Sequence, residues 1–581
     1  MKLQYISLAC AMSAIALGAP AQDLNTEITI EREVVPEERP ATRISSTPAI
    51  SLPEVEVKKL NYSERVITSS LTPGISHLEP ASYADYLETS PYRGYLDLGY
   101  FPVLNIGVSA GYRFIDNETT RLNGWLQYDG KTYDGELRDA TEASFRDHTV
   151  AVGVGFEHYF DAISTLEVGL RYAFTNFNQP SLQDDYSQNV NRLDASAHWH
   201  SFHNDIAYNI GLGYGFFGFG KDGIVKSIIP DIDALKAVKE NRFTLDGGVL
   251  IGLDEYNNSQ IGADLEATFL NYNNMDILHS MAYGDADVVR MLESEGSITH
   301  GVISLTPYYN YRNDNVNMKL GAKIEASINS GKVFHIAPDV ELSWTPASLF
   351  AAYVNFGGGE HHNTLGSLFD FTHYLSPMYA YENSHIPFTV DARLVFGAWK
   401  GFSMEVFGGY ARANEWLMPS VMNSSDLMFD AINMRGWHAG IAVSYKYRDM
   451  VSTRVSYETA PQGEDKGYYL WRDRAKHVVN ASVTVTPIKP LDITIGYEYR
   501  GYRVTYDCVG VKEDVIAGYA DDNVKCGLGD VNNLSLGALY RFTPAFSAFA
   551  RVENILNKKY DILYNIPSQG ITGLVGITYK F

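Results

Sequence analysis

From about Arg93 to the last residue, apolar and polar positions alternate one by one in segments of about ten residues. Leu491, Ile493, Ile495, Tyr497 and Tyr499 share one face, while Asp492, Thr494, Gly496, Glu498 and Arg500 share the other. Over 318–328 the apolar set is Met318, Leu320, Ala322, Ile324, Ala326 and Ile328, set against Lys319, Gly321, Lys323, Glu325 and Ser327. Successive strand residues point to opposite sides of a sheet, so a period of two predicts strands and not helices. A soluble sandwich turns the apolar face inward. A barrel in lipid turns it outward and keeps the polar face around a wet interior. The polar faces here carry charges of both signs, and the pattern runs to the end of the chain without a second domain type. Both features favour an all-β fold, a transmembrane antiparallel β-barrel.

The connections between segments alternate in length. Short turns include Asp116-Asn117-Glu118-Thr119, Asp161-Ala162-Ile163, Arg312-Asn313-Asp314-Asn315, Thr345-Pro346, Tyr447-Arg448-Asp449 and Thr543-Pro544. Longer connections fall at 131–146, 217–240, 272–297, 358–387, 414–431 and 504–532. That asymmetry is the one outer-membrane barrels show, with turns in the periplasm and loops outside. Counting strands this way gives about 22, an even number that puts both ends of the barrel on the periplasmic side.

Composition narrows the picture. The chain has 581 residues, 45% apolar and 13% aromatic, which argues against disorder. With 69 acidic against 46 basic residues its net charge is −23, so it repels phosphate backbones and nucleic acid is not an expected partner. No apolar run reaches the roughly 18 residues of a transmembrane helix, which leaves strands as the means of crossing a bilayer. The amino-terminal stretch reads as a signal peptide over 1–21: Lys2, an apolar core from Tyr5 to Leu17, then Ala19-Pro20-Ala21, with cleavage between Ala21 and Gln22. Residues 22–92 form an irregular segment, because Pro36, Pro48, Pro53, Pro73 and Pro80 interrupt helices and remove ladder donors. The barrel is assigned to 93–581. Cys508 and Cys526 remain after export, both in the polar connection 507–530, and are expected to pair as a loop staple worth roughly 3 kcal/mol.

The tail resembles a family. Ala550-Arg551-Val552-Glu553-Asn554-Ile555-Leu556-Asn557-Lys558-Lys559-Tyr560, then Pro567, Gly570 and a strand ending in Phe581, is similar to the carboxy-terminal signature of TonB-dependent outer-membrane receptors. Ile555-Leu556 stands where the family has Leu-Phe, and Ser568-Gln569 separates Pro567 from Gly570. The strand style is similar to the family's members in Bacteroidota. The resemblance implies a 22-stranded barrel in the outer membrane, uptake of a scarce, bulky nutrient, and energy supplied through TonB. Glu27-Ile28-Thr29-Ile30-Glu31 resembles a TonB box, a short strand added to a partner's sheet edge. The chain departs from the family over 22–92, where neither the Val-Leu-Arg-Gly-like nor the Ile-Asp-Gly-like plug motif occurs. It therefore reads as plugless, and TonB engagement stays open. That departure leaves two other readings. One is a non-transporting structural or assembly subunit that binds a surface lipoprotein or another envelope protein. The other is a passive channel.

A 22-stranded barrel encloses a lumen that must be filled by the amino-terminal segment, by loops folded over the mouth, or by a second protein. Stretches 229–238 and 275–295 carry helix signals within two of the loops. Gly359-Glu360-His361-His362-Asn363, with His373 and His385 further along, places several imidazoles in one connection. Imidazoles can hold zinc, copper or haem iron. Adjacent histidines lack a ligand spacing, however, so these read as solvated loop residues. His198, Trp199 and His200 read as girdle residues at a strand end, and Gly211, Gly213, Gly215, Gly218 and Gly220 as close strand packing rather than a phosphate loop. No nucleophile-elbow motif occurs. The sequence thus assigns no catalytic, cofactor-binding or metal residue, no cofactor, and no enzymatic activity.

Overall fold

The computed structural model describes residues 92–581 except 103–104, 138–139, 161–162, 180–185, 204, 221–236, 255–257, 274–296, 376–380, 423–425, 467, 471–474, 507–524 and 564–565. Within these limits the alternating segments pair into one closed antiparallel sheet. Of 28 strands among the described residues, six of two or three residues belong to connections, which leaves 22 in the wall. The ring closes between the first strand, Gly94–Phe101, and the last, Thr572–Lys580, in a register running from Tyr95 opposite Lys580 to Tyr100 opposite Val575. Gly94 N–H donates to the Phe581 carbonyl at 2.7 Å and Phe581 N–H returns the bond at 3.0 Å. The expected all-β barrel of 22 strands is the observed fold.

The two faces of the wall differ as the alternation requires. Val150, Val152 and Val154 are exposed while Ala151 and Gly153 between them are buried. Leu98 and Tyr100, Ile206 to Leu212 at every second position, and Val575, Ile577 and Tyr579 repeat the exposed apolar row. Charged pairs occupy the opposite parity. Arg121 reaches Glu157 at 3.3 Å, Arg242 reaches Asp194 at 3.1 Å, Lys319 reaches Asp339 at 2.8 Å and Arg454 reaches Glu405 at 3.0 Å. In a closed ring one face looks outward and the other inward. An apolar exterior around a lumen lined by paired charges is the arrangement of a membrane-spanning barrel.

Short turns gather at one end, where Arg93 and Phe581 also lie, and the longer connections at the other; these are called the turn end and the loop end. Two of the expected long connections are instead paired strands. Over 131–146 the ladder continues from Lys131 opposite Asp147 to Glu136 opposite Glu142. Over 414–431 the strands Phe402–Met422 and Asp426–Tyr447 stay paired up to Met422 opposite Asp426. Above the lipid the outer face of a strand meets water, and burial on the other follows the loops packed there, as for Tyr133 and Phe145, so the wall's apolar alternation no longer marks it. The sequence 129–136, Asp-Gly-Lys-Thr-Tyr-Asp-Gly-Glu, shows this.

The signal segment, 22–91 of the irregular segment, the helix candidate 275–295 and most of 229–238 lie outside the described residues. So does Cys508, while Cys526 lies in the strand Lys525–Gly527, whose backbone pairs with Val504–Tyr506. The helix among the described residues is elsewhere: Leu365–Phe371 (α1), inside the connection assigned from 358 to 387.

Candidate functional site

Two features meet at the loop end: a cap drawn across the mouth and a cluster of histidines and carboxylates at its base. The cap is the connection between the strands Phe350–His361 and Ser384–Trp399. Thr364 starts α1 as its N-cap, its hydroxyl accepting from Ser367 N–H at 3.0 Å. The helix then buries Leu365, Leu368 and Phe369. Their partners Phe177, Val190, Phe217, Leu270 and Tyr272 stand on strands well away from the cap's own around the ring. Leu375 and Tyr381 of the same connection complete this apolar core.

Polar contacts fix the crossing. Arg192 Nη1 donates to both carboxylate oxygens of Asp370 at 2.8 and 2.9 Å. Leu365 N–H donates to Glu240 at 2.6 Å, satisfying one of the helix's free amides. His373 Nδ1 lies 2.7 Å from Asp147, and Phe369 stacks on the His373 ring at 4.3 Å. Neighbouring connections join in, since Leu528 and Leu563 pack on the same core and the Tyr133 hydroxyl donates to the Pro567 carbonyl at 3.2 Å. The main apolar core of the described molecule therefore sits at the mouth, where loops can meet, and not in the wall, whose apolar side faces outward.

The cluster lies on the inner wall at the root of this cap. Glu325 and His335 are directly opposite on adjacent strands, and so are Glu360 and His385. His335 points inward by parity, between the exposed Phe334 and Ile336. Glu360 would point outward if alternation ran on unbroken from the exposed Phe356. A register shift between Gly357 and Gly359, with Gly359 at φ +126°, turns it to the inner side. The side chains of His335, Glu325 and Glu360 keep 2, 3 and 0% of their accessibility, and His385 keeps 12%. His335 Nε2 bonds to Glu325 Oε2, which also accepts Glu360 N–H at 2.9 Å. The Glu360 Oε1 atom stands 3.6 Å from His335 Nδ1 and 3.3 Å from His385 Nδ1. Gly331 closes the back: at φ +71° it passes so near that a Cβ there would fall 2.5 Å from Glu360 Oε2.

The histidines singled out in the sequence therefore part company. His385 joins Glu360, but His361 packs on Trp416 at 5.2 Å. His362 is half-buried, and the desolvation pushes it down to about 4, while His373 belongs to the cap. His335 and Glu325 carried no sequence signal beyond inward parity near a strand end. Trp199 packs on the exposed Phe160 as a girdle residue should. His198 does not fit that expectation, because it lies opposite Gly211 on the inner face, 3.7 Å from Asp246. Gly211 and Gly213 sit within the strand Ile206–Phe219, where added Cβ atoms would meet Asp246 and Thr244 side chains, in keeping with close strand packing.

No family model matches the chain, and no curated protein matches it. Solved structures do. A mutant of the ferric enterobactin receptor PfeA from Pseudomonas aeruginosa is 11% identical, covering 84% of this chain and 80% of that one at a TM-score of 0.60. The siderophore receptor PirA from Acinetobacter baumannii is 9% identical over 84% of this chain and 80% of that one, with a TM-score of 0.64. The FrpB iron transporter from Neisseria meningitidis is 10% identical over 84% of this chain and 82% of that one, with a TM-score of 0.63. At these identities the likeness is one of fold.

Proposed function

We propose that the chain is a receptor-like barrel of the outer membrane that takes up a scarce, bulky nutrient, with its loop end at the cell exterior. The cap carries this reading: a wide polar lumen is crossed at its mouth by an inward-folded connection held by Arg192–Asp370, His373–Asp147 and a shared apolar core. A passive pore gains nothing from such a cover, whereas a receptor needs a surface that a ligand engages before it enters. The fold likeness to receptors for iron chelates supports the same reading and makes ferric siderophores the first substrate class to test. Export by cleavage between Ala21 and Gln22, insertion into the outer-membrane bilayer, and energy from TonB belong to the proposal.

The test is accumulation of radiolabelled ferric chelates by cells with and without the chain, repeated in a strain lacking TonB. Uptake that requires both supports the proposal. Uptake independent of TonB, or no uptake together with a lipoprotein that co-purifies in mild detergent, replaces it with the channel or the subunit reading.

A further inference from the structure

We propose that His335, Glu360 and His385 form a three-ligand site for a divalent transition-metal ion of the zinc type, and that the bound ion clamps the base of the cap. Proton positions decide which atoms are free to bind. His335 Nε2 bonds to the Glu325 carboxylate, so Nε2 carries the hydrogen and Nδ1 presents a lone pair. That lone pair faces Glu360, a carboxylate, and the His385 Nδ1 atom faces the same oxygen. His335 Nδ1, His385 Nδ1 and Glu360 Oε2 have no hydrogen-bond partner among the described residues, although His335 and Glu360 keep almost no exposure. Burying polar atoms without partners costs about 1–3 kcal/mol each, and more where charge is involved.

Distance separates the two ways of satisfying them. A hydrogen bond between ring nitrogen and carboxylate needs about 2.7–3.2 Å. The observed 3.6 and 3.3 Å lie beyond that range and leave both ring nitrogens without a partner among the described residues, while Glu360 Oε1 itself accepts only the Lys332 N–H at 3.4 Å. The two ring-to-carboxylate distances match the ligand-to-ligand edge of a tetrahedron, about 3.3–3.4 Å for metal bonds of about 2.0–2.1 Å. The ligand atoms of the three residues all lie within 4.8 Å of one another. Two imidazoles and one carboxylate suit zinc, cobalt or copper better than magnesium or calcium, which prefer all-oxygen shells. Glu325 supplies the outer carboxylate that orients a metal-binding histidine and raises its basicity. It acts through His335 and is a positioning residue.

The site is built rather than incidental. Gly331 leaves room for the Glu360 carboxylate, and the register shift at Gly359 brings that carboxylate inward. Its place in the chain gives the ion its role. Glu360 immediately precedes the cap and His385 immediately follows it, while His335 anchors both to the next strand. One ion would therefore close the two ends of the cap onto the wall. Three protein ligands leave a fourth position for water or an incoming donor atom. The inference stands apart from nutrient uptake, since a subunit or a channel could carry the same clamp.

The experiment uses the untagged full chain, purified in detergent, stripped with a chelator and titrated with Co2+ and then Zn2+. One Co2+ per chain with the intense visible absorption of a four- or five-coordinate site, displaced by Zn2+, is expected. His335→Ala and His385→Ala should each lower affinity about a hundredfold or more. Glu325→Gln should lower it about 10–100-fold while keeping the cobalt spectrum. His361→Ala, which touches none of these atoms, should leave it unchanged. Zn2+ at ten times its dissociation constant should slow hydrogen exchange across the cap about tenfold. Should either alanine variant lose the folded, heat-modifiable form, His335→Gln and His385→Gln carry the same test. No stoichiometric Co2+ binding, or binding that survives loss of His335 and His385, overturns the site. Binding that leaves cap exchange unaltered overturns the clamp.

Discussion

At the residue scale, parity and backbone freedom decide most outcomes. Leu212 is 58% exposed on the outer face, midway along Ile206–Phe219. Leu212→Arg should destabilise the barrel by about 2–4 kcal/mol, as read from urea unfolding in lipid vesicles. Thr244→Arg, on the inner face opposite the side-chain-free Gly213 and two residues from Asp246, should cost far less by the same measurement. Gly331 sits at φ +71°, where other residues are strained by about 1–2 kcal/mol. Gly331→Ala also thrusts a methyl at Glu360, so it should lower both unfolding stability and Co2+ affinity. This scale was only partly legible in the sequence. Period two assigned Leu320, Ile495 and Lys319 to their faces directly. It could not place Glu360, because one irregularity between Gly357 and Gly359 reverses the parity of the residues beyond it. Nor could it bring His335 to His385, a meeting that rests on three strands being neighbours.

Among elements, the cap was the least readable. Helix signals stood out over 229–238 and 275–295, but α1 is only seven residues long and has no acidic residue in its first turn. Its stability comes from Phe177, Val190 and Phe217 on remote strands, in line with the rule that short helices depend on tertiary packing. Phe369→Ala should therefore cost about 3–5 kcal/mol of cap stability. Thr364→Ala should cost about 1 kcal/mol through the lost N-cap. Hydrogen exchange over Leu365–Phe371 measures both, and the strands should keep their protection, since the wall does not depend on the cap. The tall ladders at 131–146 and 402–447 were invisible for the opposite reason. Their strands are long, but above the lipid the outer side meets water instead of acyl chains, and that removes the pattern that would reveal them.

For the whole molecule, the sequence was most informative, because a barrel repeats one rule some twenty times and chance errors at single strands do not alter the sum. The contents of the lumen were not legible, since nothing local distinguishes a loop that folds inward from one that waves in solvent. A planar-bilayer recording makes the prediction for this scale. The intact chain should show little steady current, and replacement of 364–381 by a short Gly-Ser linker should produce large, stable conductance steps. Low conductance in both would show that something other than the cap blocks the mouth, and large conductance in both that the cap leaves it open.

The six-residue seam between Gly94–Phe101 and Thr572–Lys580 joins partners almost five hundred positions apart. Bringing such distant points together costs on the order of 5 kcal/mol of chain entropy before any bond forms, by the logarithmic loop rule. Until that zip is fastened, both outermost strands are raw margins with unpaired amides. The barrel's most hazardous moment is thus its last one, and a single proline at Leu98 or Ile577 should turn a watertight cylinder into a curled ribbon that sticks to its neighbours.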